Sequence, residues 1–155
     1  MYDQNQSEGT YQYAAPIKRF AALFIDGLVV SALSFPVGLV IGLVVAASMQ
    51  GKDPEGIQVV AQILGNIIGI LISWLYFALM ESSAKSATLG KMAMGLMVLD
   101  VDGYPINFGQ ATGRYFGKIL SALPCYAGFI AAFFNEKKQA WHDSMAQTVV
   151  VDTRA

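Results

Sequence analysis

The sequence predicts an all-α membrane protein, a small helical transmembrane bundle with a short cytoplasmic β element. Three observations carry that prediction. The chain has 155 residues, of which 55% are apolar and 14% charged, against about 25% charged in ordinary soluble domains. The apolar residues are gathered in runs: residues 20–49 carry one formal charge, Asp26, and residues 59–80 carry none. A hydrocarbon core roughly 30 Å thick takes about 20 apolar residues as a helix, so both runs are long enough to cross. Finally, two short β-branched stretches lie outside these runs, at GLMVLD and AQTVVVDT, where strands can pair.

Taken in order, residues 1–15 (MYDQNQSEGTYQYAA) are polar and aperiodic and read as a flexible tail. Pro16 precedes the first helix, expected over 17–49, and Pro36 marks the place where it can bend. QGKDPEGIQ, residues 50–58, reads as a loop. The second helix, expected over 59–80, returns antiparallel to the first. SATLGKMAMG then reads as a short amphipathic helix capped by Ser86 or Thr88. Strands are expected at 97–101, before the turn signal Asp102-Gly103, and at 148–151. They pair in a two- or three-stranded sheet outside the hydrocarbon, and residues 152–155 form a tail. Residues 108–135 are either one further span or a hairpin broken at Pro124. Lys18, Arg19, Lys85, Lys91, Lys137 and Lys138 flank one side and Lys52 the other. The positive-inside rule therefore places the N-terminus in the cytoplasm and favours the hairpin.

Composition excludes several functions. Ten Lys and Arg against eleven Asp and Glu leave no basic field for nucleic acid. One cysteine, Cys125, and one histidine, His142, allow neither an intramolecular disulfide nor a thiolate or multi-histidine metal centre. Leu89-Gly90-Lys91-Met92 lacks the upstream glycine and the Ser or Thr of a phosphate loop. Trp141-His142-Asp143 sets an imidazole beside a carboxylate, but sequence neighbours do not face each other on a helix. We expect no enzyme, cofactor or metal.

The residues left to carry function are charges within apolar sequence. Asp26 lies about 10 Å into the first helix, and an ionisable group there is by default a functional candidate. Arg19, two turns earlier, and Arg114 with Lys118, four residues apart, are its candidate charge partners. Glu81 ends the second helix as an interfacial or capping carboxylate, and Asn66 and Gln62 read as hydrogen-bonding glue between helices. Small residues at four-residue spacing, including Gly109/Gly113/Gly117, allow close helix packing within the chain or in a homo-oligomer. Asp26 is either the centre of a pathway for a monovalent cation, proton or small ligand, or a buried acceptor that locks helices together.

RFAALFID at 19–26 resembles the start of the RDD family of small bacterial membrane proteins, named for one arginine and two aspartates. SATLGK at 86–91, GLMV at 95–98, Asp102-Gly103, FGQA at 108–111, Arg114 and Trp141-His142-Asp143 are similar to its later segments, so the likeness covers about 16–151. The resemblance implies that Arg19 and Asp26 are the first two signature residues and Asp143 the third. It also implies a multi-pass protein of the bacterial inner membrane. Transport of small ligands is suggested for the family and sodium/proton antiport attributed to some members.

Overall fold

Three short strands make one antiparallel sheet: β1 (Gln12–Tyr13), β2 (Leu96–Asp100) and β3 (Thr148–Asp152), in the order β1-β3-β2. The computed structural model describes residues 12–48, 54–122 and 138–154. All five residues of β3 are buried, which is what an unbroken β-branched run achieves in a central strand. Its register pairs Val151 with Met97 and Val149 with Leu99. Leu99, Val149 and Val151 form a small core against which Tyr13 and Met97 pack. Asp102-Gly103 makes the expected turn: Asp100 Oδ1 accepts the N–H groups of Asp102 and Tyr104 at 3.0 and 2.8 Å, and Gly103 takes φ +86°, open to glycine without strain.

Two expectations at the termini are corrected. Residues 12 and 13 are not tail but strand, with Ala14 N–H donating to Val150 O at 2.9 Å and Ala14 fully buried. Asp152 closes β3, and Thr153 donates both its N–H and its hydroxyl to Gly95 O. Edge pairing of so few residues leaves no periodic signal in a polar sequence.

The long helices are α1 (Pro16–Ser48) and α2 (Pro54–Glu81). Pro54 starts α2 earlier than expected, because proline's missing N–H costs nothing at a helix start and Glu55 suits the positive end of the dipole. α1 is 33 residues, about 50 Å at 1.5 Å per residue, and continues through Pro36. Contacts divide the chain into two compact units, residues 1–26 with 77–155, and residues 27–76. In the second unit Leu28, Phe35, Leu43, Ile63, Ile67 and Ile70 are all exposed, an apolar exterior suited to lipid. α1 and α2 are the two described helices long and apolar enough to cross a membrane.

The first unit adds α3 (Leu89–Met94), α4 (Phe108–Ala122) and α5 (Trp141–Met145). α4 is amphipathic with inverted chemistry: Ala111, Arg114 and Gly117 face inward, while Phe116, Ile119 and Leu120 are exposed. Pro124 and the expected hairpin break lie outside the described residues. β3, which follows these residues, pairs with β1, which precedes α1. In a Cys125→Ser background, cysteines at exposed Lys85 and Thr153 should therefore react with an impermeant thiol reagent from one and the same side. Labelling from opposite sides would show that residues 108–135 cross once.

Candidate functional site

Asp26 is 1% exposed. Its Oδ2 accepts the Thr88 hydroxyl at 2.6 Å and its Oδ1 the Gly90 N–H at 2.8 Å. Thr88 is the N-cap of α3 and accepts from Lys91 N–H at 3.4 Å, so one hydroxyl both caps α3 and ties it to α1. Gly90 permits the contact. A Cβ there would lie 2.1 Å from Ala22 O and 2.8 Å from Asp26 Cγ.

Beside this joint the buried charges alternate in sign. Arg19 Nη1 donates to Asp143 Oδ2 at 2.8 Å, and Nη2 to Val150 O at 3.3 Å. Arg114 Nη1 lies 2.7 Å from Asp143 Oδ1 and also donates to Thr148 Oγ1, while Arg114 Nε donates to Glu81 Oε2 at 3.0 Å. Glu81 Oε1 accepts from Lys91 Nζ at 2.6 Å and lies 3.5 Å from Lys118 Nζ. Lys118 Nζ sits 4.1 Å from the centre of the Phe77 ring, an additional cation–π contact. Burial of charge is tolerated only with such partners. Asp143 further accepts Ala140 N–H at 3.1 Å, which opens α5.

Burial alone would raise the Asp143 carboxyl, but Arg114, Arg19 and the Ala140 N–H overrule it and hold it at about 2. Burial pushes His142 down to about 3 despite neighbouring Asp143, so the imidazole is neutral at physiological pH. It likewise pushes Lys91 down to about 8, opposed by Glu81. All three shifts are downward. For His142 and Asp143, an unfolded chain takes up protons at ordinary values of 6.5 and 3.8, whereas the folded protein does so only near 3 and 2. The contribution of these two groups is therefore complete above pH 6.5 and declines as pH falls through that interval, while Lys91 acts with the same sign between about 10.5 and 8. Thermal unfolding in detergent against pH should show the decline, and His142→Gln should remove its upper part. An unchanged profile in His142→Gln would place the effect elsewhere.

A cavity of about 70 Å³ lies in this unit, lined by Arg19, Lys91, Arg114 and Lys118, by Asp26 and Asp143, and by apolar residues including Phe20, Leu23 and Phe77. Arg19 Nε is buried, and among the described residues it finds no hydrogen-bond partner.

The structure thus gathers Arg19, Asp26, Asp143, Arg114, Glu81 and Lys118 in one unit, with four departures from expectation. Arg19 and Arg114 pair with Asp143, not with Asp26, whose carboxylate takes the donors at the start of α3. Glu81 is a fully buried hub rather than an interfacial cap. Asn66 is exposed on α2, in the other compact unit. His142 Nε2 also comes within 3.4 Å of Asp143 Oδ1, although neighbours were not expected to meet. Gly117 would place a Cβ 3.0 Å from His142 Cβ, so that part of the glycine stripe packs within the chain, while Gly113 faces open space. Sequence reasoning missed Thr88, Gly90 and Lys91 as members of the site. Their signal was the order T-x-G-K, in which one residue caps, one admits a neighbour and one supplies charge.

The RDD family model matches residues 13–147, from the edge strand to the residue before β3. The chain belongs to the RDD family. It is 38% identical over 141 residues to the uncharacterized protein YxaI of Bacillus subtilis (strain 168), covering 86% of this chain and 93% of that protein. It is 30% identical over 149 residues to the uncharacterized membrane protein YteJ of the same organism, covering 92% and 82%. No solved structure matches this RDD protein. Family and relatives together make it an integral membrane protein. In this RDD chain Arg19 and Asp143 are an ion pair and Asp26 is a docking acceptor.

Proposed function

We propose that the protein transports a small ligand and that the ligand is an anion held in the cavity of the first unit. The observation that carries this reading is the lining itself, four cationic side chains against two carboxylates. Antiport of sodium for protons at Asp26 fits the geometry less well. Its oxygens already receive the Thr88 hydroxyl and the Gly90 N–H in a joint with no room for a methyl group. Nor, among the described residues, do three or more His, Cys, Asp or Glu side chains gather where a metal ion would sit.

A second reading is favoured by the pairing of Arg19 with Asp143 and of Arg114 with Glu81: a membrane assembly module in which these charges only hold the fold. Reconstitution in liposomes distinguishes the readings. Transport of an anion predicts flux that requires the anion and falls in Lys118→Gln. Cation-for-proton exchange without any anion requirement would overturn the proposal. Neither flux nor anion binding in a folded preparation would favour the assembly module.

A further inference from the structure

The cavity has two kinds of wall, and they meet on a helix that fits a membrane. Arg19, Lys91, Arg114 and Lys118 supply one wall; Phe20, Leu23 and Phe77 supply the other. Phe20 and Leu23 are themselves 45% and 41% exposed, and Ile17 and Phe24 beside them on α1 are 72% and 71% exposed. The apolar wall is thus continuous with the outer apolar face of α1, one of the two described helices apolar and long enough to span.

The charged wall is incompletely neutralised. Four cations line the cavity with Asp26 and Asp143, and Glu81 stands behind them bonded to Lys91 and Arg114. With His142 neutral, one positive charge is left over. Asp26 already accepts from Thr88 and Gly90, and the buried Arg19 Nε–H is a donor with no acceptor among the described residues. About 70 Å³ has room for roughly five water-sized groups at ~10–15 Å³ each, the size of a tetrahedral oxyanion. Guanidinium and ammonium groups together suit phosphate oxygens.

We infer that the cavity binds the phosphate of an amphiphile, the phosphate among Arg19, Lys118 and their neighbours and the hydrocarbon against Phe20, Leu23 and Phe24 of α1. This rests on the anion-binding reading above and names its ligand class. A phosphate-headed ligand with a chain gains from both walls, whereas inorganic phosphate gains only from the charged one. Basic pockets beside membrane helices recognise lipid headgroups by this combination.

The test uses the full chain in nanodiscs of phosphatidylcholine containing one-fifth phosphatidic acid or phosphatidylglycerol, with protein-retained lipid counted by native mass spectrometry. Wild type should retain the anionic lipid in preference to phosphatidylcholine. Lys118→Gln, which removes the most exposed of the four cations, should lower that preference roughly tenfold, the equivalent of one charge-assisted hydrogen bond. Lys118→Arg should restore it, and Lys85→Gln, at an exposed position outside the cavity, should leave it unchanged. A second measurement needs no variant: inorganic phosphate titrated into wild type in pure phosphatidylcholine. Lipid preference lost equally in Lys85→Gln would reduce the effect to surface charge and overturn the inference. Phosphate binding without lipid preference would overturn the amphiphile but keep the anion site. Absence of both would remove the anion-binding reading as well.

Discussion

Gly90→Ala is expected to cost about 3–5 kcal/mol, more than any other single methyl group added to a described glycine of a helix. The estimate combines overpacking, about 1–3 kcal/mol, with weakened hydrogen bonds to a charged group, about 1.5–3 kcal/mol each. The methyl would meet Ala22 O at 2.1 Å. That oxygen belongs to the α1 backbone, so it cannot swing away as the end of a flexible side chain would. α3 must then withdraw, taking with it the Gly90 N–H and Thr88 hydroxyl that satisfy Asp26. Unfolding in mixed micelles, titrated with a denaturing detergent, would measure the loss. Gly113→Ala is the matched control, because a Cβ there meets nothing within 4 Å. It should be neutral or stabilising by up to about 1 kcal/mol, the ordinary gain for alanine over glycine in a helix. Asp26→Asn should fall between the two. An amide oxygen can still accept from Gly90, and the Thr88 hydroxyl can turn to accept from the amide nitrogen. Equal stability of Gly90→Ala and Gly113→Ala would mean that α3 does not dock on α1 through this joint.

Glu81→Gln is expected to be nearly as damaging, at about 3–5 kcal/mol, the usual consequence of leaving buried charge without its counter-charge. Glu81 is 1% exposed and receives Lys91 at 2.6 Å and Arg114 at 3.0 Å, with Lys118 at 3.5 Å. Glutamine keeps the shape and one acceptor but returns no charge to any of the three cations. Adding Lys91→Met should recover part of the loss by withdrawing one of those cations, and the double-mutant cycle would show strong coupling between positions 81 and 91. Additive losses, or a Glu81→Gln protein within about 0.5 kcal/mol of wild type, the scale of ordinary surface changes, would show that the hub is not a stabilising element.

Much of this was legible in the residues alone. Two helices of membrane length, a turn at Asp102-Gly103 and two strands that need each other all follow from local rules: run length, glycine at positive φ, and β-branched stretches with no other partner. The order T-x-G-K at 88–91 also named a helix start. Which carboxylate meets which cation was not legible. Arg19 and Asp26 share a helix face by spacing, which invites pairing them, yet Asp143 reaches Arg19 across 124 positions and Thr88 reaches Asp26 across 62.

Sequence by itself determined that this chain enters a membrane and carries its charges near the ends of apolar runs, because hydropathy and chain length are summed locally. Only the tertiary structure decided that Glu81 is the hub, that residues 12–13 belong to the sheet and that Gly90 admits α1. Each of those depends on backbone brought together from distant positions. The choice among several acceptable ion pairs is made by which donors arrive in the same dry space, and no spacing rule along the chain contains that information.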